Sequence, residues 1–370
     1  MPEQKKKILI FSLAYYPHVG GAEVAIKEIT DRLPNIEFHM VTMRWSQDEP
    51  MEEIVGRVHV YRVGSGASYL SKVLFIPRAV LRARTLSVQH FDGMWAMMSY
   101  MTFPIALLRI LFGVHVPYIL TLQEGDPFEH VFERWYIKFF APLLSYGFMR
   151  ARSITAISNF LGTWAKHAGY QGPVHIIPNG VDLAHFSVSR VEHEGIVLVT
   201  ASRLVHKNAV DDVIRALALL PETVRFKVAG TGPDEVMLKE LAQTAGVASR
   251  VEFVGHIDHR ELPQFLERAD IFIRPSRSEG MGNAFIEAMA AGLPIIGTHV
   301  GGIPDFLKDG ETGYVAEVDN PKNIAAAVTR ALLHADERAA IAARAKALAA
   351  QYDWDIVARR MNEEAFAALS

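Results

Sequence analysis

Two glutamates, Glu279 and Glu287, stand eight positions apart in "RPSRSEGMGNAFIEAMAAGLP", across a turn flanked by glycines. Carboxylates so spaced either belong to an ordinary strand–loop–helix joint or face one ligand, and the stretch alone permits both. Arg203 and Lys207, in "TASRLVHKN", put two cations in one loop. One of them forks onto phosphate oxygens, so the pair suits a diphosphate or is a pair of surface charges. Gly230 and Gly232 in "VAGTGPDE", and Gly20 and Gly21 in "YYPHVGGAEVAIKEI", make tight turns. There a backbone can approach a ligand, and a following helix offers free N–H groups to an anion, or the chain simply reverses.

For these residues to meet, their loops must open onto one edge of one sheet. Short apolar runs alternate with helical patterns along the whole chain, which predicts parallel sheets with crossover helices. Strands are expected at 8–14, 36–42, 57–63, 91–96, 116–121, 153–157 and 174–177, and a second series starts near 195 with "GIVLVTAS", "VRFKVAG", "RVEFVG", "DIFIRPS" and "LPIIGT". The loops of Arg203, Gly230 and Glu279 then follow strands of the second series at the carboxyl end of its sheet, where open α/β folds bind ligands. Polar, turn-rich "PNGVDLAHFSVSRVEHEG" places a linker at roughly 183–195. The reading is α/β with two doubly wound domains, 1–185 and 195–350. Residues 351–370 form one amphipathic helix that packs back toward the first domain.

Composition excludes several classes. The chain has 370 residues, half of them hydrophobic, and a net charge of −3, so it is globular and not an avid nucleic-acid binder. Lys and Arg outnumber Asp and Glu by 19 to 15 up to residue 190 and are outnumbered 26 to 19 after it, so the first half is the side to meet an anionic partner. The absence of cysteine excludes disulfides and thiolate chemistry and fits a cytoplasmic protein. "KKKILIFSLAYYP" mimics a signal peptide but reads better as a first buried strand. Residues 94–120 approach transmembrane length, but Pro104, Arg109, Gly113, His115 and Pro117 interrupt them, so a buried helix plus strand is expected. The basic amphipathic stretch 71–87, with Lys72, Arg78, Arg82 and Arg84, is either a solvated helix face or a helix lying on an anionic membrane. No G-x-G-x-x-G, G-x-S-x-G or histidine ligand spacing is present, and "DWD" at 353–355 opens the last helix, where acids favour the helix dipole. No metal site and no cofactor is expected.

In order and spacing, "PHVGGAE", "IIPNGVDLAHF", "SRLVHKN", "VAGTGP", "VEFVGHID", "EGMGNAFIEAMAAGLPIIGT" and "VGGIPDFLKDGETG" resemble a retaining glycosyltransferase of the family-4 type. The resemblance covers nearly the full length. It implies the GT-B architecture, two Rossmann-like domains facing each other across a cleft with the donor mainly on the second. It also implies metal-independent transfer from a nucleotide sugar, UDP favoured over GDP, to a glycan or lipid-linked acceptor received by the first domain. By that resemblance Gly20 and Gly21 approach the donor diphosphate, Arg203 and Lys207 bind it, Glu279 contacts the sugar and Glu287 holds the ribose. The backbone amides of Met281, Gly282 and Asn283 cap the diphosphate, Gly280, Gly230 and Gly232 line the donor site, and His256 and Ile257 touch the base.

Relatives often end the fifth strand in T-x-H-G, whereas this chain reads "LTLQEGDPFEH". Gln123 and Glu124 then stand at the reacting centre, with Asp126 beside them. Gln123 hydrogen-bonds a hydroxyl but relays no proton near neutral pH. A non-catalytic nucleotide-sugar-binding subunit and a GT-B epimerase are the alternatives. The expected location is cytoplasmic, peripheral on the inner membrane face.

Overall fold

The computed structural model describes residues 5–369. The chain divides into two units, Met1–Asn179 with Trp354–Ser370, and Gly180–Asp353. The first unit thus ends before the expected linker, and the segment 183–195 belongs to the second.

Among the described residues the first unit holds one sheet of eight strands: β1 (Lys6–Phe11), β2 (Ile36–Met43), β3 (Glu52–Val55), β4 (Val58–Val63), β5 (Gly93–Met97), β6 (Tyr118–Leu122), β7 (Ser153–Ala156) and β8 (Val174–Ile176). Their order is β3-β4-β2-β1-β5-β6-β7-β8, parallel throughout except for the β3–β4 pair. β5 and β6 are buried along their whole length, as strands covered on both faces must be, and this is why they read as unbroken apolar runs. β3 carries no such run. It is a short, charged edge strand, joined to β4 by a two-residue turn with Gly56 at φ +59°. The apolar stretch 94–120 resolves into β5, the helix Thr102–Phe112 and β6, with Gly113 at φ +63° ending the helix. No helix among the described residues is long and apolar enough to cross a membrane.

The second sheet contains β9 (Ile196–Ala201), β10 (Val224–Ala229), β11 (Val251–Gly255), β12 (Ile271–Arg274), β13 (Ile295–Thr298) and β14 (Tyr314–Ala316), in the order β11-β10-β9-β12-β13-β14. All its pairings are parallel. The chain steps outward from β9 to β11, then returns to lay β12 against β9. The two sheets therefore each have a switch point, between β1 and β5 and between β9 and β12, where loops diverge and leave a crevice.

The last segment is not one regular helix. It runs as an α-helix over Trp354–Arg360, one π-turn over Met361–Ala365 and a 3-10 turn over Phe366–Leu369. The change of winding lets Phe366 reach full burial between Trp95, at 5.1 Å, and Phe38, at 5.9 Å. Arg32 Nε donates to Asp355 at 2.6 Å, Arg360 to the Ile176 carbonyl at 2.8 Å and Arg152 Nε to the Ala368 carbonyl at 3.2 Å, so the segment is fastened along its length to the rest of the first unit. Phe366→Ala should lower the stability of the first unit by about 3–5 kcal/mol, the usual cost of deleting a buried ring. Chemical denaturation followed by tryptophan fluorescence measures it. A loss below about 1 kcal/mol would remove the ring from the core account.

Candidate functional site

At the carboxyl edge of the second sheet, the loop after β9 carries Arg203 exposed and Lys207 half-buried, with Leu204 buried as an anchor between them. The loop after β10 is laced onto it. Ser202 N–H donates to the Ala229 carbonyl and Leu204 N–H to the Thr231 carbonyl, both at 2.9 Å, while Gly230 N–H donates to Gly255 at 2.6 Å. A methyl at Gly230 or Gly232 would overlap the backbone of Ser202 or Leu204. These two glycines are therefore required by the contact of one loop with the next, a demand the sequence reading assigned to a ligand. Asn208 fixes the same loop by donating its amide to the Arg203 carbonyl at 2.6 Å.

β12 ends in Arg274, whose side chain is 7% exposed. Its Nη2 donates to Glu279 Oε2 at 2.8 Å, and its guanidinium lies 4.8 Å from the Phe285 ring centre. The other oxygen of Glu279 accepts from Gly280 N–H at 3.1 Å. Each carboxylate oxygen keeps a second lone pair, so Glu279 retains capacity for hydroxyl donors. Gly280, Met281 and Gly282 are buried, and Gly282 at φ +93° turns the chain into the helix Asn283–Ala290. A side chain at Gly282 would be strained by that φ and would crowd Arg274 and Phe285. From β13, Gly302 N–H donates to the Glu279 carbonyl at 3.2 Å, and Gly301, at φ +55°, passes so close that a methyl would overlap that carbonyl.

Arg277 ties this loop to the one after β9. Its backbone N–H donates to the Lys207 carbonyl at 2.7 Å, and its guanidinium bonds the His206 carbonyl, Asp211, Asp212 and Asp319 at 2.5–3.1 Å. Burial works to raise the Asp211 carboxyl, but hydrogen bonds from Arg277 and Arg215 outweigh it and hold the group below its ordinary value. Burial and the neighbouring Asp211 charge push Asp212 the other way.

Glu287, one turn into the helix Asn283–Ala290, meets His259 Nε2 at 2.9 Å. His256 and Ile257 sit nearer the end of the edge strand β11, and the chain must run on to residue 259 before it meets this carboxylate. His259 is thus the residue of this loop that the structure brings to Glu287.

In the first unit, Gly20 is exposed at the carboxyl edge, and Gly21 opens the helix Gly21–Asp31. The Gly20 N–H already donates to Glu23 Oε2 at 2.8 Å, so a carboxylate occupies that helix start. Two strands away, the Gln123 amide pairs with Asn179 in both directions, at 2.9 and 3.1 Å. Glu124 was expected at the reacting centre. It is buried instead, its oxygens accepting from Ser99 N–H at 2.6 Å and Gln123 N–H at 2.9 Å. Burial pushes its carboxyl up from the ordinary value while these donors pull it down. Ser99 follows Met98, a non-glycine residue at φ +73°, a conformation that persists only where its surroundings hold it. Glu124 is part of what holds it. Asp126 lies exposed two residues on.

Sequence reasoning missed Arg274, Arg277, Asp211, Asp212, His259 and Asn179. Arg274 did leave a signal, a charge ending the apolar run "DIFIR" of a buried strand, which demands a partner. For the others the pairing that matters joins residues 28 to 66 positions apart, although Asp211 and Asp212 also pair locally with Arg215. Among the described residues, no three His, Asp or Glu side chains are grouped to share a metal ion.

Two doubly wound α/β units, each sheet with its switch point, define the GT-B class of fold, and the solved structures agree. Sucrose-phosphate synthase of Thermosynechococcus elongatus superposes at TM-score 0.85 with 18% identity, over 98% of this chain and all of that one. Anabaena HepE in complex with UDP-glucose superposes at 0.79 with 19% identity, over 98% and 99%. The chain belongs to the group 1 glycosyltransferases: the model for glycosyl transferases group 1 matches residues 183–348, and that for glycosyltransferase family 4 matches 19–185. Among full-length relatives it is 27% identical to the GDP-mannose-dependent alpha-(1-6)-phosphatidylinositol monomannoside mannosyltransferase of Mycobacterium tuberculosis, over 96% of this chain and 97% of that protein.

Removing the cation that holds Glu279 should be costly. Arg274→Ala leaves a mostly buried carboxylate unpaired and should destabilise the second unit by about 3–5 kcal/mol in chemical denaturation. A loss near zero would mean that water replaces the guanidinium. Glu124→Gln turns an N–H group toward a backbone N–H and should cost the first unit about 1–3 kcal/mol. The same measurement checks it, with unchanged stability as the contrary outcome.

Proposed function

We propose that this glycosyltransferase moves a sugar from a nucleoside diphosphate sugar, UDP in preference to GDP, to a glycan or lipid-linked acceptor. It retains the anomeric configuration and uses no metal ion. The observation that carries the reading is the convergence at the β9–β12 switch point. There the Arg203–Lys207 loop, the buried Gly280–Gly282 turn at a helix start and the Glu279 carboxylate are laced together by Arg277 and Arg274.

Breaking the anomeric C–O bond leaves negative charge on the departing diphosphate. Cations and N–H groups held in place beforehand stabilise that charge more than they stabilise the bound donor, which accelerates the step. In this assignment Arg203 and Lys207 take the phosphates. The start of the helix Asn283–Ala290 adds the positive end of its dipole there. Glu279, held in position by Arg274, orients the sugar through its hydroxyls. Glu287, steadied by His259, takes the ribose. No protein nucleophile is assigned, because the leaving phosphate is itself basic enough to accept the acceptor's proton on the same face of the sugar. Gln123, aligned by Asn179, contributes hydrogen bonds only, and Glu124 positions the Ser99 loop. The first unit receives the acceptor, and the enzyme works peripherally on the inner face of the membrane.

The test combines a panel of UDP- and GDP-sugars with NMR of the product. Transfer with retention is expected, unchanged by a chelator. Arg203→Ala and Glu279→Ala should each lower turnover by about 10²–10³-fold, the usual effect of losing a preorganised charge-stabilising group. An inverted product, a chelator-sensitive rate or near-normal turnover by Glu279→Ala would overturn the corresponding part.

A further inference from the structure

The helix Tyr69–Thr85 packs beside the helix Thr102–Phe112, which packs in turn beside the helix Trp135–Met149. Across all three the sequence has Lys72, Arg78, Arg82, Arg84, Arg109 and Lys138 and not one Asp or Glu. Arg82 is paired from outside by Glu52, so exposed Lys72, Arg78, Arg84 and Lys138 carry the charge of this face. The same helices expose large apolar side chains that a solvated surface would not select: Leu70, Leu81 and Phe140 by more than half, Leu111 by 63% and Phe139 by 79%.

Where the first two helices end, at the amino edge of the sheet, lies a hollow of about 640 Å³ lined by Arg84, Gln89, Phe91, Phe112 and His115 among others, with no carboxylate. The Arg84 guanidinium lies 4.1 Å from the Phe112 ring centre. Behind the wall, Arg109 donates to the Val116 carbonyl at 2.9 Å, and its Nε is buried with no hydrogen-bond partner. The hollow is thus basic at its lip and bordered by exposed Leu111 and Phe112.

We infer that this face docks on an anionic bilayer and that the hollow takes the phosphate of one lipid head group. Apolar side chains entering the head-group boundary and cations drawn to anionic lipid are the two forces that hold interfacial helices. A soluble protein partner would match the apolar area but gives no reason for the lack of carboxylates on three separate helices. The inference names the face and the phosphate site for the membrane location proposed above; it rests on that location but not on the transfer chemistry.

Cosedimentation with phosphatidylcholine vesicles, with and without phosphatidylglycerol, tests it, alongside transfer to a soluble acceptor. Wild-type chain should bind only the vesicles that contain phosphatidylglycerol. Arg84→Ala/His115→Ala and, separately, Leu111→Ser/Phe139→Ser should each weaken binding at least about tenfold while thermal midpoint and soluble-acceptor transfer hold. Soluble glycerol phosphate should not compete at vesicle-saturating concentrations. Equal binding to both vesicles, full binding by either variant, or competition by glycerol phosphate that assigns the hollow to a free phosphate would each overturn the inference. Loss of soluble transfer with vesicle binding intact would count against the transferase reading alone.

Discussion

Arg274 ends β12 with a guanidinium that is nearly inaccessible to water, and most of the second unit's site follows from finding it a counter-charge. A buried cation is tolerable only if a carboxylate and further acceptors stand within hydrogen-bond reach. Glu279 supplies the carboxylate five residues later, so the intervening chain must fold back over the strand end. That return forces Gly282 into the left-handed region and starts the next helix directly beside the carboxylate. It also brings the Glu279 carbonyl against the backbone of Gly301 and Gly302. A surface ion pair, worth about 0–1 kcal/mol, imposes no such path, whereas this one loses several kcal/mol if either partner is misplaced.

The neighbouring loops obey the same logic by other means. Arg277 spends its donors on three aspartates and on the carbonyls around Lys207, which joins the two loops at the switch point into one body. In the first unit the sign is reversed: a buried carboxylate, Glu124, gathers backbone N–H groups and holds the strained turn at Met98. Among the groups assigned to the donor, Arg203 is exposed and Lys207 half-buried. Arg274 and Glu124, which fix the loops around them, are buried charges bonded inside the protein. This division keeps the charge-stabilising groups in place before the reaction begins, which is what makes them effective.

The parallel sheets were legible because strands buried on both faces leave continuous apolar runs between helical patterns, as "ILIF", "IVLVTA" and "IFIR" do. β3 and β14 escaped notice: β3 is a charged edge strand with no apolar run, and β14 is three residues set among turns. The end of the chain has the period of one helix, yet its winding changes at Met361 because Phe366 must reach the pocket beside Trp95. Of the site, Glu279, Glu287, Arg203 and Lys207 were visible as residue types in suggestive loops. At Gly230 and Gly232 the structure shows a close approach of the loop of Ser202 and Leu204.

By itself the sequence determined the two-unit α/β architecture, the loops that open onto the carboxyl edges and the candidate residues on them. All of these rest on local period and on residue chemistry. Only the tertiary structure decided which of those residues are held and which hold them. The pairs Arg277 with Asp211, Glu287 with His259 and Gln123 with Asn179 join positions far apart in the chain. They exist because only folding brings these groups within hydrogen-bond reach, at exposed His259 as at buried Asp211.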